Sequence, residues 1–94
     1  MIRVLIDRHI AETLEEAYEQ RARAVLQQAV AAPGFISGES LRDAHDPNHR
    51  VLLSNWQSIQ DWQRWHSSEA RKDIMNELMP MLDREERVTI LEQA

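Results

Sequence analysis

The residues whose types could do chemistry are one aspartate near the N-terminus and a tryptophan-rich segment in the second half of the chain. Asp7 lies within an apolar stretch, where a carboxylate can accept a proton from a phenol. Trp56, Trp62 and Trp65 lie close together in the sequence, and an indole offers a flat ligand both a surface and one hydrogen-bond donor. His66, next to Trp65, is a candidate for proton transfer.

Each of these side chains also has a purely structural interpretation. A tryptophan is more often part of a core than of a site, and the spacing of Ile59 and Trp62 suits core packing. Asp7 can form an ion pair with Arg3, Arg8 or an arginine on a helix. Neighbours on a helix point about 100° apart, so Trp65 and His66 need not reach the same pocket.

The sequence gives little support to a metal site. His45 and His49 have a His-x-x-x-His spacing, but this spacing brings two imidazoles together on a helix, and Pro47 between them disfavours a helix. A third ligand is lacking, and the chain has no cysteine. No glycine-rich phosphate loop, serine nucleophile elbow or His-Glu-x-x-His motif occurs. We therefore expect no metal.

Length and charge exclude several classes of partner. The chain has 94 residues, enough for one domain with a thin core. Its 16 acidic and 11 basic side chains give a net charge of −5 and are spread along the sequence, so we expect no binding to nucleic acid. No segment has the length of a membrane span, so we expect no membrane partner. The absence of cysteine fits a reducing compartment, and we expect a cytoplasmic protein.

The first half of the chain predicts a strand, a helix and a hairpin. Alternating β-branched residues predict a strand over 2–10, and Thr13-Leu14-Glu15-Glu16 has the form of a capping box. An apolar stripe then predicts a helix over 13–32, which Pro33-Gly34 ends. Residues 35–42 and 50–56 predict two strands joined by a turn over 43–48.

The second half predicts two helices and a last strand. Ser58 is the expected cap of a short helix that carries Ile59, Trp62, Trp65 and His66. Ser67-Ser68 is the expected cap of a second helix, which Pro80 ends or bends. Residues 87–92 alternate as a final strand.

This order of elements predicts an α+β fold of the ferredoxin-like βαββαβ type, with two helices on one face of a four-stranded antiparallel sheet. The other face needs a cover. If it carries Ile2, Val4 and Ile6, it is too apolar to remain in water, and a second copy of the chain is the simplest partner. We therefore expect a homodimer.

Two motifs point to a family. Trp65 precedes Ser68 by three residues after the strand that ends in Trp56, and Pro33-Gly34-Phe35 joins the first helix to the second strand. With these motifs the whole chain, 1–94, resembles a single antibiotic biosynthesis monooxygenase domain. The resemblance implies a dimeric α/β barrel with a pocket between the sheet and the helices of each subunit.

The resemblance also implies roles for individual residues. Trp65 matches the tryptophan that lines the family's pocket, and we expect Asp7, Trp65 and His66 to be the catalytic residues. We expect substrate contacts from the remaining candidates, namely Trp62, Trp56, Met75 and His9. Haem-degrading members carry an asparagine where this chain has Asp7, and their iron ligand, a histidine ten residues beyond the tryptophan, is replaced here by Met75. Both departures argue against haem degradation.

The resulting hypothesis is a monooxygenase that uses no cofactor and oxidises a small planar phenol or hydroquinone-like substrate with molecular oxygen. Asp7 would help to form the substrate anion, and Trp65 would orient the ring. Two alternatives are open: a dimeric protein that binds a small molecule without catalysis, and a haem-degrading monooxygenase.

Overall fold

The computed structural model describes all residues, 1–94, and confirms the predicted order of elements. The strands and helices are β1 (Ile2–His9), α1 (Glu15–Val30), β2 (Phe35–Asp43), β3 (Asp46–Trp56), α2 (Ile59–His66), α3 (Glu69–Leu78) and β4 (Arg87–Glu92). A short 3₁₀ turn, Met79–Met81, follows α3 at the predicted proline. None of the helices has both the length and the apolar character that crossing a membrane requires.

The strands form one antiparallel sheet in the order β2-β3-β1-β4, which is the ferredoxin-like arrangement. The hairpin between β2 and β3 is tighter than predicted, because β3 begins at Asp46 instead of residue 50. Pro47 lies where the register between the two strands shifts, and a bulge of this kind tolerates a residue that cannot donate to the ladder.

Two of the predicted helix caps are confirmed and one is wrong. The hydroxyl oxygens of Ser58 and Ser68 accept hydrogen bonds from the backbone N–H groups three residues on, at 3.2 Å each. Thr13 does not cap α1: its φ is +73°, and its own N–H donates to the Glu15 carboxylate instead. The helix therefore begins at Glu15, two residues later than predicted.

The turn before β2 explains why glycine follows Pro33. Gly34 has a φ of +86°, a conformation that residues with a Cβ rarely adopt. A Cβ on Gly34 would also lie 2.3 Å from the Asp61 carboxyl carbon. The turn thus holds β2 close to the start of α2, and the backbone N–H of Gln57 donates to the Gly34 carbonyl at 2.8 Å.

The helices cover the side of the sheet that was expected to face a second subunit. Ile2, Val4 and Ile6 all lie in the core beneath the helices, with Val4 0% exposed. The prediction that they form the open face is therefore wrong: the alternation was correct, but its apolar side faces inward because both helices pack on it. The opposite face, which no helix covers, carries the half-buried side chains of Leu5, Val51 and Leu53.

Candidate functional site

The three tryptophans meet in the core between the sheet and α2. The rings of Trp56 and Trp62 pack edge to face with centroids 5.7 Å apart, and Phe35 packs on Trp56 in the same way at 5.3 Å. Trp65 is buried beside them. Only the indole N–H of Trp56 is used within the chain, as a donor to the Ser54 hydroxyl at 3.0 Å. The indole N–H groups of Trp62 and Trp65 have no hydrogen-bond partner within the chain.

The tryptophans line a small cavity, which we call the tryptophan cavity, between the sheet and the helices. Its volume is about 20 Å³, enough for little more than a water molecule. Its three tryptophans are buried and Phe35 is half-buried, and its remaining walls are mainly apolar. The tryptophan cavity is therefore closed to an aromatic ligand in this conformation.

A larger opening, which we call the arginine cleft, adjoins the tryptophan cavity between α1 and the strands β2 and β3. Its volume is about 360 Å³, within the range of small-molecule sites. Arg8, Leu26 and Leu52 line both spaces and form the wall between them. The other lining residues are Tyr18, Glu19, Ala22, Arg23, Ser40, Leu41, Arg42 and Arg50.

Two buried arginines share one glutamate at the inner end of the arginine cleft. Arg8 Nε and Arg71 Nη2 each lie 2.9 Å from a different carboxylate oxygen of Glu86. Burial alone would raise the pKa of Glu86, but the guanidinium groups of Arg8 and Arg71 outweigh burial and hold its pKa below the usual value. The group thus retains one unbalanced positive charge away from water.

Tyr18 and Arg50 form the middle of the arginine cleft. The hydroxyl of Tyr18 accepts a hydrogen bond from Arg8 Nη1 at 3.3 Å, and the guanidinium carbon of Arg50 lies 5.9 Å from the centre of the tyrosine ring. Arg50 also pairs with Glu19 at 3.0 Å and donates to the Pro47 carbonyl at 2.8 Å. Tyr18 is therefore held in place between two cations.

Asp7 lies on the open face of the sheet, opposite the tryptophans. Its carboxylate is 2.9 Å from His49 Nε2, and the Asp43 carboxylate is 2.9 Å from Nδ1 of the same ring. The alternative interpretation, an ion pair with Arg3, Arg8 or a helix arginine, does not apply, since His49 is the partner. His9 stacks on His49 with ring centroids 4.7 Å apart. We call these four residues the histidine cluster.

The histidine cluster favours the protonated form of His49. Both ring nitrogens face carboxylates, which only accept hydrogen bonds, so both nitrogens must carry protons for both contacts to form. The hydrogen bonds to Asp43 and then to Asp7 raise the pKa of His49, against a smaller opposing effect of burial. The same bond to His49 lowers the pKa of Asp43.

The structure therefore separates the predicted site residues into two groups. Trp56, Trp62, Trp65 and Met75 lie on the covered side of the sheet, and Met75 is buried with its sulfur 3.8 Å from Arg8 Nη2. Asp7 and His9 lie on the open side. Side chains of the two groups cannot reach one ligand within a subunit, because the sheet lies between them.

The remaining histidines lie away from both spaces. His66 is exposed at the end of α2, where its ring packs on Trp62 at 5.3 Å between centroids. Burial of part of the ring, with the nearby charge of Arg71, lowers its pKa. His45 lies in the hairpin turn, and no group of three or more potential ligands is placed to hold a metal ion. No histidine lines the tryptophan cavity or the arginine cleft.

The sequence reasoning missed Arg8, Tyr18 and Arg50. Arg8 lies two residues after Ile6 and continues the inward-facing series of β1. Arg50 lies two residues before Leu52, which also faces inward, on β3. A charged residue in register with an apolar strand face is a signal of a buried polar site. Extending each alternation by one step would have found both arginines.

Comparison with protein families gives one match that spans most of the chain. The sequence profile of the antibiotic biosynthesis monooxygenase family matches residues 1–77. No curated protein matches the sequence.

Solved structures with the same fold are numerous but distant in sequence. A conserved protein from Methanosarcina mazei is 17% identical to this chain, with a TM-score of 0.92. The alignment covers 99% of this chain and 92% of the Methanosarcina protein. SnoaB, a cofactor-independent oxygenase from Streptomyces nogalater, is 13% identical with a TM-score of 0.85, over 98% and 92% of the respective chains. These likenesses support the fold alone. The profile match over residues 1–77 is what identifies the family: this chain belongs to the antibiotic biosynthesis monooxygenase family.

Proposed function

We propose that this protein is an oxygenase that needs no cofactor and oxidises a small planar phenol or hydroquinone-like molecule. The observation that carries the proposal is the tryptophan cavity, an aromatic-walled space between sheet and helices in a chain of this family. The structural likeness to SnoaB, a cofactor-independent oxygenase, adds support by analogy of fold.

The substrate ring would enter from the arginine cleft and reach the tryptophans after a side-chain movement. Leu26 and Leu52 separate the two spaces, and both are only partly buried. A change of rotamer in these leucines would join the two spaces. The ring would then pack against Trp62 and Trp65, whose free indole N–H groups can donate to a ring oxygen.

The chemical step begins with loss of the phenolic proton. Arg8 lines the tryptophan cavity, and the Tyr18 hydroxyl, which lines the arginine cleft, lies 3.3 Å from Arg8 Nη1. The positive charge of Arg8 and the O–H donor of Tyr18 would stabilise the resulting oxyanion where the two spaces meet. The anion then reduces oxygen at a ring carbon. Overall, the phenol and one O₂ give the quinone and one water: one oxygen atom becomes the new carbonyl, and the other leaves with two hydrogens.

The position of Asp7 changes its proposed role. A carboxylate on the open face cannot take a proton from a ring in the tryptophan cavity of the same subunit. His66 has a lowered pKa and is therefore a proton acceptor near neutral pH, but it lies outside the tryptophan cavity, behind Trp62. We propose that the proton leaves to solvent through the open arginine cleft, with the electrostatic stabilisation from Arg8 taking the place of a dedicated base.

We also propose that the protein acts as a homodimer joined through the open face of the sheet. Leu5, Val51 and Leu53 form the centre of this face, with Leu41 and Leu91 exposed at its edges. Apolar side chains of this number on one flat surface favour association with a second copy.

A second candidate function is binding without catalysis. The one carboxylate that lines either space, Glu19, is already paired with Arg50, and no histidine lines them, so no side chain there is an unpaired base. This observation fits a protein that holds an aromatic ligand and releases it unchanged.

Oxygen uptake on incubation with anthrones and naphthols separates the two functions. We expect uptake with at least one compound, and about a tenfold lower kcat in Trp65→Phe, which keeps a ring but loses the indole N–H. Asp7→Asn, on the opposite face, is the matched control and should keep its kcat. If a compound quenches tryptophan fluorescence but none is consumed, the oxygenase proposal fails and the binding function stands. If Asp7→Asn loses turnover and Trp65→Phe does not, the site does not lie on the covered side of the sheet.

A further inference from the structure

Three arginines form a row across the sheet at the floor of the arginine cleft. Arg8 on β1 is directly opposite Arg50 on β3, and Arg50 is directly opposite Arg42 on β2. Directly opposed residues have Cβ atoms about 5 Å apart, and like charges in such positions destabilise a sheet. Arg8 is 2% exposed and Arg50 7%, so water screens this repulsion poorly.

The chain neutralises only the inner part of this row. Glu86 pairs with Arg8 at the inner end, and Glu19 pairs with Arg50 in the middle. Arg42 at the outer end forms no ion pair, and neither does Arg23, which faces it from α1 across the arginine cleft. A protein with a net charge of −5 thus keeps four arginines and a single glutamate around one opening.

From this arrangement we propose that the ligand of the arginine cleft is an aromatic carboxylate, with its carboxylate bound between Arg42, Arg50 and Arg23. This inference narrows the substrate class of the proposed oxygenase, and to that extent it rests on the proposed function. Guanidinium groups match a carboxylate with paired, charge-assisted hydrogen bonds. The carboxylate would supply the negative charge that the row of arginines lacks.

The size and lining of the arginine cleft fit such a ligand. About 360 Å³ is near the lower end for small-molecule sites, which favours a ligand of two or three rings at most. Ala22, Leu26 and Leu52 provide an apolar surface between the arginines and the tryptophan cavity. A ring bound here with its carboxylate toward the outer arginines would point its opposite edge at Arg8 and the tryptophans.

The test compares a hydroxynaphthoate with the neutral hydroxynaphthamide of the same ring, by titration calorimetry on the full chain at low ionic strength. We expect the anion to bind at least tenfold more tightly than the amide, and salt to reduce the difference. Arg23→Gln and Arg42→Gln should each weaken binding of the anion about threefold, and the double variant about tenfold, with little effect on the amide.

Arg21→Gln is the matched control. Arg21 lies on α1 two residues before Arg23 and is also exposed, but it pairs with Glu77 on α3, away from the arginine cleft. Its substitution should leave both affinities unchanged. Equal affinities for anion and amide, or equal effects of Arg21→Gln and Arg23→Gln, would overturn the inference.

Oxygen uptake in the same samples distinguishes this inference from the proposed function. Tight, arginine-dependent binding of the hydroxynaphthoate without oxygen uptake supports the carboxylate site and counts against the oxygenase. Oxygen uptake with neutral naphthols, together with weak binding of the anion, supports the oxygenase and overturns the carboxylate site.

Discussion

The two faces of the sheet carry charges of different kinds. The covered face holds Arg8 and Arg50, which are nearly inaccessible to water. A guanidinium group in a protein is a permanent positive charge. The open face holds the histidine cluster, in which hydrogen bonds to Asp43 and Asp7 raise the pKa of His49 and its charge changes with pH. The covered face is therefore suited to a fixed electrostatic role, and the open face to a variable one.

The difference follows from what packs on each face. Helix α1 brings Glu19 and Tyr18 to the covered face, and the segment before β4 brings Glu86; these side chains supply the partners without which the buried arginines would be too costly. On the open face the strands alone supply partners, from β1, β3 and the end of β2. Water or a second subunit completes that surface.

Of the substitutions that test the difference between the two faces, Glu86→Gln on the covered side should have the largest effect on stability. The substitution leaves Arg8 and Arg71 buried without their shared counter-charge, and breaking a buried ion pair in this way costs about 3 kcal/mol. Urea denaturation should report this loss in the free energy of unfolding. Glu85→Gln, at the exposed neighbouring position, is the control and should change stability by less than about 0.5 kcal/mol.

The pH dependence of the Glu86 variant provides an independent check. Because the folded protein holds the pKa of Glu86 below its ordinary value of 4.5, its contribution is present above that pH and is lost as pH falls through the lowered pKa. The difference in stability between the wild type and Glu86→Gln should therefore shrink in acid. A difference that stays constant would show that Glu86 does not carry a charge in the folded state.

The next largest effect should be on association of two subunits through the open face. Leu53→Asp places a carboxylate at the centre of this face, directly opposite Leu5. In the proposed dimer this unpaired charge would be buried between two sheets, so it should weaken association about 100-fold. Light scattering at micromolar concentration should then report the monomer mass instead of about twice that mass. Met79→Asp, an exposed position after α3, should leave the dimer intact. Equal masses for the wild type and Leu53→Asp would show that the open face is not the contact.

The sequence was sufficient for the fold but not for the division of the site between two faces. Hydrophobic periodicity and the Pro33-Gly34 turn predict every strand and helix, because these elements depend mainly on residues close together in the sequence. Which side of β1 faces the helices depends on long-range packing, and so Ile2 was placed on the wrong face. The partnership of Asp7 with His49 depends on strand register between residues 42 positions apart, which periodicity does not determine.

The smallest effect expected is the pH dependence that the histidine cluster gives to stability. Three ionisable groups contact His49: Asp43 and Asp7 bond to it, and His9 stacks on it. A fourth, Arg87, lies opposite Asp7 on β4. The carboxylates hold the pKa of His49 above its ordinary value of 6.5. Stabilisation by the cluster is thus fully present below that value and is lost as pH rises through the raised pKa.

His49→Gln tests this contribution directly, because glutamine keeps hydrogen-bonding capacity but cannot be charged. Since the cluster is partly exposed, we expect the wild type to be more stable than the variant by about 0.5 kcal/mol in mildly acidic solution, and by less as pH rises above neutral. His45→Gln, in the exposed hairpin turn, is the control and should follow the wild type. A wild-type advantage that grows with rising pH would mean that His49 is bound as the neutral ring, and the open face would then carry a fixed negative charge from Asp7 and Asp43 instead of a variable one.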